Sequence, residues 1–225
     1  MTGRAEKLVV FGVGDLARVA SAYFERYAPV EIVAYTAHRE YVAGSGFLGK
    51  AVIPFEELTR TFAPSDHKVF VAIGYREMNT VRAAVFEECA RLGYQFFTYL
   101  DPRAHVWDPS AVGRNCLILE GNVIQPYAHV ADDVIMWSGN HLGHDSRIDE
   151  HCFITSHVVI AGNVKIGAYS FVGINASIRD GVTVGPRTLV GGATVILRDT
   201  KEGSVYGAEG TKPSRVSVFD LKGLP

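Results

Sequence analysis

Cysteine is scarce in this chain. Only Cys89, Cys116 and Cys152 occur in 225 residues, an odd number with no Cys-x-x-Cys pair, which leaves neither a disulfide framework nor a cysteine-built zinc site. The three thiols read as core filler. Long apolar runs are missing too: no stretch approaches the ~18 residues that span a membrane. The opening MTGRAEKLVVFG lacks the apolar core and cleavage site of a signal peptide, so the chain reads as cytoplasmic. There is no excess of positive charge. A formal net charge of −2 gives no basic surface for nucleic acid. What remains, 48% hydrophobic and 20% charged residues, is a globular composition long enough for one large or two small domains.

The second half is periodic. Stepping by six from Val106 to Ile196 gives sixteen apolar residues without a break: Val106, Val112, Ile118, Ile124, Val130, Met136, Leu142, Ile148, Ile154, Ile160, Ile166, Val172, Ile178, Val184, Val190 and Ile196. Two residues before each lies a small or slim side chain, among them Ser110, Cys116, Asn122, Ala128, Asn140, Ser146, Cys152, Ser170, Ala176 and Thr188. Residues two apart on a strand share a face, so both phases point inward. Glycine follows the apolar position at Gly113, Gly143, Gly167, Gly173, Gly185 and Gly191, where it is expected to turn corners with positive φ. Short strands and regular corners describe a β-helix. The pattern [LIV]-G-x-x-[STAV]-x resembles the hexapeptide transferases, which implies a left-handed prism with three hexapeptides per coil, here about five coils at the usual ~4.8 Å strand spacing. Asn122 and Asn140, one such coil apart, are then expected to stack as a ladder.

The first hundred residues alternate strand and helix, which predicts a small Rossmann-like parallel α/β domain over 1–103 before the β-helix and its C-terminal tail over 104–225. Strands are expected at Leu8–Phe11, Glu31–Tyr35, Lys68–Gly74 and Phe96–Tyr99. A long helix is expected at Met78–Leu92, with Val81, Ala84, Val85, Cys89 and Leu92 on its apolar side. Gly12, Gly14 and Ala17 form G-x-G-x-x-A between strand and helix, a turn that exposes backbone N–H groups of Gly12, Val13, Gly14 and Asp15 to phosphate. The acidic ribose partner of dinucleotide sites is not evident at Tyr35-Thr36-Ala37. Gly74, Tyr75 and Arg76, at the end of the third strand, are a second candidate ligand segment.

Six of the eight histidines, His105, His129, His141, His144, His151 and His157, lie in or beside the repeat and off both inward phases, so they are expected to face outward or sit at corners. His144 has Asp145 next to it, and Gly162 follows three hexapeptides later. On stacked coils this sets an imidazole, suited to general base catalysis near neutral pH, beside backbone with no side chain, where a thioester has room and the Gly162 N–H can serve an oxyanion. Zinc held by histidines, as in γ-class carbonic anhydrases, is the weaker reading, because no ligand pair of their spacing occurs near this segment.

From Lys7 to Pro213 the chain resembles the bacterial sugar O-/N-acyltransferases related to sialic acid O-acetyltransferase. The resemblance is carried by FGVGDLA, VAIGY at Val71–Tyr75, and SGNHLGHDSRIDEHCFITSHVVIAGNVKIG at Ser138–Gly167. It implies His144 as general base with Asp145 as its acidic neighbour, Gly162 backbone facing the acyl thioester, and Ile174, Gly192, Ala193 and Lys212 along the CoA arm. It also implies a nucleotide-linked amino sugar at the Gly12 turn, acetyl-CoA as co-substrate, no metal, and a homotrimer with active sites between prisms. Asn140 and His141 are expected in the sugar pocket, with Trp137 beside them. The expected activity is N-acetylation of the sugar, with O-acetylation or a non-catalytic trimeric scaffold as alternatives. Two departures stand out: Leu16 where many members carry histidine, and Gly207–Pro213 in place of the usual closing motif.

Overall fold

A computed structural model of the chain describes residues 5–42, 44, 46–213 and 215; the rest of the expected tail lies outside the described residues. The first unit is a six-stranded sheet made of β1 (Glu6–Phe11), β2 (Val30–Ala37), β3 (Gly46–Phe47), β4 (Lys50–Pro54), β5 (Lys68–Val71) and β6 (Gln95–Phe96). Its order is β3-β4-β2-β1-β5-β6, with every pairing parallel except β3 on β4. Leu8, Val9 and Val10 are fully buried because β1 is central and covered on both faces. After β1 the chain goes to β2 on one side and later to β5 on the other, which opens a crevice at their carboxyl ends. Helix α1 (Asp15–Tyr27) packs Ala17, Ala20 and Phe24 on the sheet, and the one-turn helix α2 (Leu58–Thr61) buries Leu58. Gly12 has φ +126°, and a Cβ there would lie 2.7 Å from the Ala72 carbonyl oxygen, so only glycine fits.

The prism begins at Tyr99–Leu100, which pairs with Leu117–Ile118 and continues the stacking without a separate linker. Its strands form three faces. The first runs from Tyr99–Leu100 to Val205–Tyr206 in seven strands, the second from His105–Val106 to Val195–Ile196 in six, and the third from His129–Val130 to Thr183–Val184 in four. Partners are three hexapeptides apart in every central pairing, as in Val123 with His141 and His141 with Val159. The inward apolar positions from Ile118 to Ile196 form one continuous core. Asn140 Nδ2 donates to Asn122 Oδ1 at 3.0 Å, so the expected ladder is present. Burial pushes the Cys116 and Cys152 thiols up to about 12.

Two expectations about the repeat need correction. The recurrent glycines do not turn the corners. Left-handed φ falls two residues later, at Asn115, Tyr127, Asp133, Asp145, His151, His157, Asn163, Tyr169, Asn175, Arg187 and Ala193. Asn, Asp and His are over-represented there because their side chains tolerate that conformation best after glycine. The glycines are required by close approach instead: a Cβ on Gly143 would stand 2.5 Å from the Ala161 carbonyl carbon and the Gly162 nitrogen on the next coil. Secondly, Ser110 is exposed, because the first coil is opened by a short 3-10 turn in which Asp108 accepts from Ser110 Oγ at 2.6 Å.

His151 sits at a corner, as expected, but it does not reach solvent. It is 4% exposed, covered by α3 (Thr80–Arg91), where Phe86 lies edge-on to its ring. The same contact rotates α3 from its expected apolar side: Arg82, Ala83, Val85, Phe86 and Cys89 are buried, whereas Ala84 and Leu92 are exposed. Arg82 is fully buried. It donates to Asp133 Oδ2 at 3.0 Å, to the His151 and Cys152 carbonyls, and to the Gly74 carbonyl at 3.2 Å. Asp133 also accepts from Asn115 Nδ2 at 2.7 Å and lies 2.8 Å from His151 Nδ1. This fully satisfied network joins the α/β unit to the first face of the prism. Leu117, Leu119, Ile135 and Phe153 of that face share the core of the sheet.

Candidate active site

Two groups of expected site residues come together, at two separate places. The first surrounds a cavity of about 970 Å³ at the carboxyl ends of β1 and β5. Gly12, Val13, Gly14 and Asp15 line it from the N-terminal side of α1, and Gly74, Tyr75 and Arg76 line it from the loop after β5. The free N–H groups and dipole of α1 make its start favourable for an anion. Asp15 turns away: its side chain is 93% exposed and pairs with Arg18 at 3.1 Å. Tyr75 packs against Phe153 and Phe171, ring centroids 5.1 and 4.8 Å away, which ties the cavity wall to the prism.

Sequence reasoning missed several lining residues. β2 runs on to Ala37, so of Tyr35-Thr36-Ala37 only Ala37 reaches the cavity, and the segment beyond it brings His38, Glu40 and Tyr41. Glu40 thereby adds a carboxylate to the lining, which a strand end placed two residues later reveals. His38 is held edge-on by Phe11 and Phe55. Trp137, which the sequence sets beside a sugar pocket, and Phe153, which it does not, close the cavity from the prism side, where docking of the two units brings them.

The second group sits at the corner between the second and third faces. His144 Nδ1 is 2.8 Å from Asp145 Oδ2. A carboxylate can only accept, so Nδ1 carries the proton and Nε2 presents a lone pair. Asp145 occupies a left-handed corner with φ +56°, which fixes its side chain beside the ring. The His144 N–H donates to Gln125 Oε1 at 2.9 Å, and the Asn163 N–H donates to the His144 carbonyl at 2.9 Å, so the backbone is held from both neighbouring coils. A Cβ on Gly162 would lie 2.6 Å from His144 Nε2. The imidazole therefore occupies the space that the missing side chain leaves. Among the described residues the Gly162 N–H has no protein acceptor. The arrangement offers a base, a bare stretch of backbone and an unused donor within one corner.

The remaining expectations separate. Asn140 is buried in the ladder, donating to Asn122 and to the Trp137 carbonyl at 2.6 Å, so it has no surface to offer a sugar. His141 is half-buried on the second face. Ile174, Gly192 and Ala193 cluster at the corner between the first and second faces, where the Ala193 N–H donates to the Ile174 carbonyl at 2.7 Å. That is a different edge from His144. Lys212 is exposed beyond the last strand. Within one chain, the corner carrying His144 lies opposite the first face, which carries the cavity.

No family model matches the chain. The acyl-[acyl-carrier-protein]–UDP-N-acetylglucosamine O-acyltransferases of Burkholderia mallei and Burkholderia thailandensis are 27% identical over 93 residues, 41% of this chain. The chain spans about a third of their length, 36%. Among solved structures, the acetyltransferase domain of PglB from Neisseria gonorrhoeae superposes with a TM-score of 0.80 at 26% identity, covering 93% of this chain and all of that one. PerB from Caulobacter crescentus, solved with CoA and GDP-perosamine, gives 0.79 at 25% identity over 90% of this chain and 94% of its own. With the hexad phase unbroken and the histidine corner set against a bare glycine, these likenesses converge: over nearly its whole length the chain is similar to hexapeptide-repeat sugar acyltransferases.

Proposed function

We propose that this protein is an acetyl-CoA-dependent N-acetyltransferase acting on a nucleotide-linked amino sugar, with His144 as general base. The observation that carries the reading is the His144–Asp145–Gly162 corner, a protonated Nδ1 on one side of the ring and a lone pair aimed at bare backbone on the other. Asp145 holds the ring and supports the imidazolium as it forms. His144 Nε2 takes the proton from the amine as its nitrogen bonds to the thioester carbon. The Gly162 N–H steadies the tetrahedral oxyanion, and the carbon–sulfur bond then breaks to release CoA thiolate. The Gly12–Asp15 turn and the loop at Gly74–Arg76 hold the nucleotide in a Rossmann-like domain, and Glu40 is placed to meet its ribose or base. The likeness to PerB, which binds CoA and GDP-perosamine, supports the same ligand classes here.

In this reading the prism is left-handed and the protein a cytoplasmic homotrimer, in the compartment where nucleotide sugars and CoA are made. The second face favours such assembly: Val159 and Val195 are exposed on it, with Ile174 and Leu197 exposed at its margins. Packing second faces around an axis sets the Ile174–Gly192–Ala193 edge of one protomer beside the His144 edge of the next, and brings each cavity towards a neighbour's imidazole. The site that a single chain splits is completed between chains.

The test is transfer from acetyl-CoA to a panel of UDP-, GDP- and dTDP-amino sugars, with His144→Ala alongside. The variant is expected to lose ~10²–10⁴ in rate while keeping its melting temperature; near-normal turnover removes His144 from the role. O-acylation is a second reading, favoured by the curated O-acyltransferases, and NMR of the product separates amide from ester.

A further inference from the structure

The corner column that carries His144 and Gly162 continues to Asp180, one coil further on. The Gly181 N–H donates to the Gly162 carbonyl at 3.0 Å, which stacks the two coils in register. A Cβ on Gly162 would lie 2.6 Å from His144 Nε2 and 3.0 Å from Asp180 Oδ2. The imidazole and this carboxylate thus flank the same bare spot from successive coils. Asp180 is exposed, and among the described residues it has no hydrogen-bond or ion-pair partner. It is not a corner residue with left-handed φ, so backbone conformation does not require an aspartate there.

We propose that Asp180 is a positioning residue for the acyl donor: its carboxylate accepts the N–H of the pantetheine amide nearest the thioester. The inference rests on the acetyl-CoA reading of this corner. Its basis is a match of lengths. With the thioester beside Gly162, the first amide nitrogen lies two methylenes beyond the sulfur, roughly 4 Å away. The next coil stands ~4.8 Å further along the axis. An arm leaving His144 behind and running along the edge therefore sets its first N–H beside Asp180. A carboxylate can only accept, which suits an amide donor and excludes a phosphate at that rung. The shared chemistry is an acyl thioester of an N-acylated cysteamine, present both in CoA and on acyl carrier protein.

The experiment compares wild type, Asp180→Asn and Asp180→Leu. The donors are acetyl-CoA, acetyl-acyl carrier protein, S-acetyl-N-acetylcysteamine and S-ethyl thioacetate, the last of which has no amide. Wild type is expected to prefer the cysteamine donor to the simple thioester by about tenfold or more in kcat/KM, as a charge-assisted hydrogen bond implies. Asp180→Leu is expected to lose that preference and to raise the donor KM by a similar factor with kcat nearly unchanged. The loss should appear with whichever carrier wild type accepts. Asp180→Asn, which keeps an acceptor oxygen, should recover much of it. Equal preference in wild type and Asp180→Leu overturns the proposal, as does a fall in kcat at unchanged donor preference. If wild type neither binds CoA by calorimetry nor transfers acetyl from any donor, the acetyltransfer reading itself fails and takes this proposal with it.

Discussion

Adding one methyl group at Gly162 gives the sharpest test of the corner. Its φ lies outside the left-handed region, so alanine meets no backbone strain. The obstacle is the ring: the new Cβ would stand 2.6 Å from His144 Nε2 and 2.7 Å from Cε1. Ordinary contact is ~3.5 Å, so the imidazole must retreat by about 1 Å. His144 is an exposed side chain, 54% accessible, and can move without disturbing the core. Stability should therefore change by less than about 1 kcal/mol. Catalysis should not escape so lightly, since a displacement of about 1 Å at the reacting groups costs on the order of 10²-fold. Gly143→Ala is the contrasting control. Its Cβ meets backbone at 2.5 Å, which cannot swing away, so it should lose ~1–3 kcal/mol. That corresponds to roughly 2–4 °C per kcal/mol in melting temperature for a chain of this size. The assay is kcat/KM for CoA release with the preferred amino sugar, beside thermal unfolding of both variants. Full turnover in Gly162→Ala, or a stability loss there as large as in Gly143→Ala, would refute the geometry of the corner.

Other consequences follow from the buried groups. Arg82→Met should destabilise by about 3–5 kcal/mol, because it leaves the Asp133 carboxylate buried without its cation; thermal unfolding reads this directly. All three thiols are pushed up to about 12 by burial, so native protein should resist iodoacetamide at pH 8, and all three should react after unfolding, as mass spectrometry will count. Burial alone raises the Asp101 pKa. The Arg103 guanidinium and backbone N–H, with the Tyr99 hydroxyl, outweigh it and hold the carboxyl below its ordinary value. Stability from a lowered carboxyl is present above its unfolded pKa and lost as pH falls through the folded one. Asp101→Asn should therefore lower the melting temperature at pH 7, with the difference shrinking as pH falls through the lowered folded-state pKa.

The sequence by itself determined the prism. A period of six with no insertion fixes the register of every coil, because each inward apolar residue lies three hexapeptides from its neighbours on the same face. That arithmetic also sets Gly162 beside His144. Glycine's role was misread because a sequence shows only that a side chain is missing. Whether φ or a neighbour's approach forbids it is a three-dimensional fact, as Gly143 shows. Only the tertiary structure decided which corners are covered. His151 looked like every other corner histidine until α3 buried it, and nothing in the sequence marks Arg82 as the charge that is buried against Asp133. Docking of the two units likewise set Trp137 and Phe153 of the prism against His38 and Glu40 of the α/β unit in one cavity, since residues from separate elements share a site through packing that no local periodicity records.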